Sequence, residues 1–560
     1  MAIHAGAVYT FSLRPSHLAV YAALFAGCSP GDQDTLTQWR PSALPETEAL
    51  DTHAEPLELV EPPAIQMGNN VLLARELIAR TSRPTWLHVR FTDGVHTEEI
   101  AFSGLTTDHQ VPLLGFKAGR TYDLFVTLTA PDGAVLSLDG KQIVTEDLPQ
   151  PWPQLEVVEI SPSEMEPGFT LLSFRAPGRD GTESAVILDA DATVRWVMSF
   201  PEPITDLSML EDGSLLALEG GHIVHYDILG HEIERWVSTT SPNVPDGAQE
   251  VDSNGQFHHE VDFLPNGRLL TLGDRTVEVS DYPQSYSNPN LTGEAIIADD
   301  EILELDVDGT ILARVSMSAL LDHRRIGYDS LSMRGDDLDW AHSNAVHWDP
   351  VDDAWLISMR HQDAVAKISR SGEIVWILGN HDNWAPSLAP YLLQRTEGVV
   401  WPYHQHSAMT TAAGTVLLFD NHNEGAAPYT GNPQLDPRDI ASRLVEYRID
   451  GGLVEQTWEF RESSLGRLYS GAMGDADPLP QTGNILGVWG WTEYVDGQSN
   501  TSRGLGTRSI HVIEVSHTDP PLVARHLHLF SDSNDQPLGW TCNRAEWIPD
   551  LYGVAGPLTL

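Results

Sequence analysis

Phe257-His258-His259-Glu260, running into the turn and apolar stretch Leu264-Pro265-Asn266-Gly267-Arg268-Leu269-Leu270, is the segment on which the fold assignment rests. A Pro-Asn-Gly turn between short apolar runs marks a hairpin of β-strands. The plan returns twice. Ala341-His342-Ser343-Asn344 leads into Asp352-Asp353-Ala354-Trp355-Leu356-Ile357, and Gln405-His406-Ser407-Ala408 leads into Ala413-Gly414-Thr415-Val416-Leu417-Leu418. His259 stands eight residues before Gly267 and His406 eight before Gly414; His342 falls in register once a few extra turn residues are allowed.

Working outward, a strand, a turn and a second strand ending near an aromatic or aliphatic residue recur six times. The copies are Ala185-Val186-Ile187-Leu188 to Trp196, Ile223-Val224-His225-Tyr226 to Trp236, Ile302-Leu303-Glu304-Leu305 to Val315, Ala366-Lys367-Ile368-Ser369 to Trp376, Val445-Glu446-Tyr447-Arg448 to Trp458, and Val512-Ile513-Glu514-Val515 to Leu527. Most follow another strand and turn, as at Glu211-Asp212-Gly213. Two hairpins per copy predict four-stranded blades, hence an all-β chain whose residues 155–560 form a six-bladed β-propeller. Equivalent positions in such a fold face one axis, so His259, His342 and His406 are expected to share one pocket.

Ahead of the repeats, Trp86-Leu87-His88-Val89-Arg90-Phe91 and Tyr122-Asp123-Leu124-Phe125-Val126-Thr127-Leu128 alternate as half-buried strands do, and residues 61–150 are expected to form a small fibronectin- or immunoglobulin-like β-sandwich. Residues 29–60, rich in Pro, Thr, Glu and Asp, read as a flexible tether. Residues 1–28 resemble a lipoprotein-type signal: Arg14, an apolar run from Leu18, then Ala26-Gly27-Cys28. That pattern predicts export and lipid modification at Cys28, with the protein periplasmic or anchored in an outer membrane. The second cysteine, Cys542, then has no partner.

The chain has 560 residues, with 80 acidic against 32 basic side chains and a formal net charge of −48. That balance excludes binding to nucleic acid by charge, and membrane attachment other than through the lipid anchor. Lysines are confined to Lys117, Lys141 and Lys367, so an anion site must draw on arginine. The acidic turn Asp306-Val307-Asp308-Gly309 lacks the remaining ligands of a calcium loop and reads as an ordinary hairpin.

Residues two apart in a strand share a face, which groups Asn344 with His342 and His404 with His406; His258 and His259 point oppositely, with His259 inward. Thr205, Ser470 and Gly471 stand at the corresponding points of other repeats. Trp340, Trp401, Tyr403 and Trp491 are candidate walls for an aromatic substrate. Three imidazoles also suit a zinc ion, but Arg360, in Ser358-Met359-Arg360-His361-Gln362, would repel a cation and attract an anion.

The ordered set Phe257-His258-His259-Glu260, Asp339-Trp340-Ala341-His342-Ser343-Asn344, Ser358-Met359-Arg360-His361-Gln362, Trp401-Pro402-Tyr403-His404-Gln405-His406 and Phe419-Asp420-Asn421 resembles the bacterial arylsulfate sulfotransferase family, whose enzymes work without a nucleotide sulfate donor. The resemblance implies sulfuryl transfer from an aryl sulfate to a phenol by a ping-pong route, with no cofactor or metal. It also implies a sulfohistidine at His406 and the sulfuryl group held by His259, His342, Asn344 and Arg360; apart from the resemblance, His258, Trp340, Trp401, Tyr403 and His404 are expected to contact the substrate. Two other functions fit the residues: a tethered propeller that binds without catalysis, and a metal-dependent hydrolase or lyase on the same scaffold.

Overall fold

A computed structural model describes residues 55–175, 183–436, 440–462, 467–495, 498–500, 506–531, 539–554 and 558–559. The predicted signal with Cys28, and the tether up to residue 54, lie outside these residues. Of the expected tether, residues 55–60 lie along a strand: Leu59 bridges to Thr81, and Val60 N–H donates to the Arg80 carbonyl at 2.9 Å.

The chain is nearly all β. In the N-terminal part the predicted alternation holds: Leu87, Val89 and Phe91 are buried while Trp86 is exposed. The strands do not divide into two sheets, as a sandwich requires. Arg75–Thr92 and Thr97–Leu113, 18 and 17 residues long, run past irregularities in their register and join Ala64–Met67, Thr121–Thr129, Val135–Val144 and Leu558–Thr559 in one six-stranded sheet.

Among the described residues six further sheets follow, numbered I to VI, and each of the six sequence copies forms two adjacent strands of one of them. The hairpins are set locally. Gly267, at φ 79°, lets the Leu264–Arg268 turn close, with Leu264 N–H donating to the Arg268 carbonyl at 2.7 Å and Gly267 N–H to the Leu264 carbonyl at 2.8 Å. Asp306-Val307-Asp308-Gly309 is likewise an ordinary hairpin turn. Among the described residues only sheet IV has the expected four strands; the others have five or six. The additions are irregular segments laid on sheet edges, such as Gln249–Val251 and Gln394–Arg395, which carry no repeat signal.

One edge strand of each sheet lines a shared cavity. In order from sheet I these are Ala545–Ile548, Ile204–Met209, Phe257–Phe263, Ser343–Asp349, His406–Thr410 and Asp475–Pro478. Successive sheets touch near these edges: Phe257–Phe263 contacts both Ile204–Met209 and Ser343–Asp349, and His406–Thr410 contacts both Ser343–Asp349 and Asp475–Pro478. Two of the sheets are completed by distant parts of the chain. Ala545–Ile548 completes sheet I beside Phe169–Arg175, and Gln154–Ile160 completes sheet VI beside Val523–Phe530. Apolar residues between sheets, including Trp196, Trp236, Trp355 and Trp489, are fully buried.

Candidate active site

Register breaks in the edge strands aim the functional side chains. The pairing shifts between His258 and Val261, between Ser343 and Ala345, and between His406 and Met409. A bulge bends its strand and turns side chains away from strict alternation. His259, His342, Ser407 and Met473 all take positive φ, between 49° and 64°. Left-handed backbone in non-glycine residues is strained, and such residues gather where a site dictates the geometry. Two amides of these edge strands are taken by acids from the preceding sheet: Val261 N–H donates to Asp206 at 2.8 Å, and Val346 N–H to Glu260 at 2.7 Å.

The edge strands thereby surround a cavity of about 420 Å³ that receives His259, His342, Asn344, Arg360 and His406 together. These are the five residues the sequence singled out for chemistry. Imidazole rings of His259 and His342 lie edge to face with centroids 5.0 Å apart, and His342 stacks on His361 at 4.6 Å. Arg360 starts the 3-10 turn that follows strand Ala354–Met359, and its Nη1 pairs with Asp329 at 3.1 Å. Asn344 Nδ2 donates to the Gln405 carbonyl at 2.8 Å, which leaves it one further hydrogen. Thr205 also lines the cavity. Ser470 and Gly471 do not; Ala472, Met473 and Gly474 line it instead.

None of the five residues assigned to substrate contact lines the cavity. His258 lies behind His259, with their Nδ1 atoms 2.7 Å apart, and its Nε2 is 3.4 Å from Asp300. Trp340 is core, its Nε1 donating to the Arg325 carbonyl at 2.8 Å. Trp401, with Tyr403 against it, belongs to the apolar cluster between sheets IV and V. His404 precedes strand His406–Thr410 with φ 54°, so alternation does not extend to it; its ring faces Asp363 at 3.0 Å. Aromatic side chains at strand ends are more valuable as core than as pocket walls, and sequence spacing does not separate the two uses.

Cavity groups such as Asp339 and Arg544, and Asn421 behind His406, went unassigned in the sequence. Asp339 Oδ2 meets His342 Nδ1 at 2.6 Å. Asn421 Oδ1 meets His406 Nδ1 at 2.6 Å. Arg544, from the C-terminal segment, grips Glu260 through both carboxylate oxygens at 2.9 and 3.1 Å and donates to the Asn344 carbonyl at 3.1 Å, forming the floor. Asp339 and Asn421 lie inside the quoted stretches, so proximity to a histidine or to a motif was their signal. Arg544 stands outside every repeat and had none.

Burial depresses the proton affinity of the cavity histidines. His406 is held well below the usual histidine range by desolvation, then by the Arg360 charge, with its Asn421 hydrogen bond opposing. His259 is likewise well below, through burial and the neighbouring imidazoles. For His342, burial lowers the affinity while Asp339 works against it. Burial would raise the Asp339 carboxyl, but His342, His361 and Arg334 hold it below the ordinary carboxylate range. His406 is therefore a neutral base, whereas His342 has a carboxylate to stabilise it when protonated.

Asp339, His342 and His361 each offer one donor atom, all within 4.8 Å of one another. His361 Nδ1 is committed to the Asp339 carbonyl at 2.6 Å, and Arg334 and Arg360 bring positive charge alongside. The donor set suits a proton-carrying His–Asp pair better than a cation. Taken together, the cavity has a neutral imidazole, a carboxylate-backed imidazole, an arginine and an amide around one space. That is equipment for moving a tetrahedral anionic group.

The sequence profile described as Arylsulfotransferase (ASST) matches residues 154–525, more than half of the chain, and the chain belongs to that family. Two proteins called arylsulfate sulfotransferase are similar to it: one from Escherichia coli O6:H1, 28% identical over 299 residues, and one from Lelliottia amnigena, 24% identical over 308. Each alignment takes in 46% of this chain and 47% of the relative, so the chain spans about half the length of the curated relatives it matches.

Proposed function

We propose that the protein transfers a sulfuryl group from an aryl sulfate to a phenolic acceptor through a sulfohistidine at His406. The observation that carries the proposal is the convergence of His259, His342, Asn344, Arg360 and His406 on one cavity, with His406 Nδ1 bonded to an amide. A neutral imidazole is a competent nucleophile toward sulfur, and its adduct is reactive enough to pass the group on. Arg360, Asn344 and His259 offer hydrogen bonds to the sulfuryl oxygens. His342, backed by Asp339, gives a proton to the departing phenolate and takes one from the incoming phenol.

On this reading the six sheets are the blades of a six-bladed β-propeller and the cavity opens on its axis, with the N-terminal sheet as an accessory domain. Export and lipid anchoring at Cys28 belong to the same proposal.

The test is a single turnover. Incubated with 4-nitrophenyl sulfate and no acceptor, the protein should release one equivalent of nitrophenol and gain one SO3 on the peptide containing His406. Addition of phenol should discharge the adduct. His406→Ala should lose burst and adduct together. An adduct on another residue, or full activity in His406→Ala, refutes the assignment; activity lost to a chelator in the unaltered protein replaces it with metal-dependent chemistry.

A further inference from the structure

Two cavity histidines are held at Nδ1 by partners of different chemistry: a carboxylate, Asp339, for His342, and an amide, Asn421, for His406, each at 2.6 Å. The amide is itself locked. Asn421 Nδ2 donates to the carbonyls of Ser470 at 3.0 Å and Met473 at 2.8 Å, using both hydrogens. The flipped amide would point its oxygen at two carbonyl oxygens, so the hydrogen-bond network assigns Oδ1 to the histidine. An acceptor facing Nδ1 requires a hydrogen there, and the neutral ring then has its lone pair on Nε2. Asn421 is fully buried, so water does not compete for the bond. The neighbouring carboxylate, Asp420, is occupied by Arg443 at 2.8 Å, His422 at 3.0 Å and the Tyr403 amide at 2.9 Å.

Resting on the sulfuryl-transfer reading, we propose that Asn421 is a positioning residue that fixes the tautomer of His406, presents Nε2 as the nucleophile, and keeps the sulfated ring reactive. In the transfer Nε2 forms the S–N bond and the S–O bond to the aryl oxygen breaks. The bonding pair leaves with that oxygen, which then takes a proton, while His406 keeps its Nδ1 hydrogen. The ring becomes cationic, balanced by the negative charge of the attached sulfonate. An amide oxygen steadies that cation less than a carboxylate would. The adduct therefore stays able to give up its group, and before reaction the ring stays neutral, with Nε2 unprotonated. A carboxylate at position 421 would favour an imidazolium with no free pair.

Histidine-selective 15N labelling tests this in the unaltered protein, with His406 assigned by the signals lost in His406→Gln. A protonated Nδ1 and an unprotonated Nε2 are expected; a hydrogen on Nε2 overturns the proposal. Asn421→Leu removes the acceptor at similar volume. It should mix the tautomers and slow adduct formation roughly ten- to a hundredfold. Asn421→Asp should move the acid limb of adduct formation to higher pH and slow discharge to phenol. Thermal melting identifies a variant that has not folded, and the tautomer measurement on the unaltered protein decides the question without variants. If Asn421→Leu keeps both tautomer and rate, the proposal fails while sulfuryl transfer stands. If the unaltered protein never carries SO3 on His406, sulfuryl transfer through His406 fails, and the nitrogen spectrum still reports whether Asn421 sets the tautomer.

Discussion

Asp339 and Arg360 serve different parts of the proposed reaction, and their variants are expected to fail differently. Asp339→Asn keeps the hydrogen bond to His342 but withdraws the charge that stabilises its protonated form. Turnover should fall roughly a hundredfold, most for donors whose phenols are poor leaving groups and least for nitrophenyl sulfate. A series of aryl sulfates of graded leaving-group pKa measures this, and an equal loss across the series would remove His342 from the proton's path. Arg360→Ala should cost roughly a hundredfold or more in kcat whatever the leaving group, because the charge on the sulfuryl oxygens does not depend on it. At this scale the sequence was informative where a side chain is placed by its distance from a turn, as His259 and His406 are. It was uninformative where the same residue type serves core or cavity, as with Trp340 and Trp401, and where a partner arrives from a remote segment, as Arg544 does.

At the scale of elements, the register breaks aim side chains into the cavity, and their neighbours leave little room. Gly474, at φ 146°, precedes the edge strand of sheet VI, and a Cβ there would lie 2.3 Å from Phe419 Cδ1. Gly474→Ala should therefore lower stability by about 2 kcal/mol, read as a drop in melting temperature, and should disturb the Phe419-Asp420-Asn421 segment along with it. A second element-level test concerns His526 in strand Val523–Phe530. Its Nε2 is 2.9 Å from His511 Nδ1, and burial, with His528 adding to it, lowers its pKa from 6.5 to about 4. The unfolded chain takes up a proton below pH 6.5 that the folded chain refuses until about pH 4, so stability attributable to this residue is full above 6.5 and lost as pH falls between those values. His526→Gln should flatten the stability profile in that window by roughly 3 kcal/mol, and an unchanged slope in denaturant titrations would refute it. The six strand pairs were legible because an apolar run and a turn glycine are local signals. The bulges were not, since a shift of register depends on what lies across the sheet, and neither was the single N-terminal sheet, whose continuity comes from pairing between long strands.

The whole molecule has 80 acidic and 32 basic side chains, a formal net charge of −48. Like charges at that excess repel across the surface, and the repulsion is screened over about 30 Å at 10 mM salt but within about 8 Å at 150 mM. Sodium chloride raised across that range should increase the melting temperature; a fall would show that salt breaks more attraction than it screens repulsion. Arg544 has a further consequence, one of timing. It floors the cavity from a segment that a ribosome makes after all the histidines, and strand Gln154–Ile160 waits for Val523–Phe530 before its sheet is complete. At about 5–20 residues per second, His406 exists for many seconds before residue 544 is added. The nascent chain thus carries the proposed nucleophile long before Arg544, which lines the same cavity, joins it.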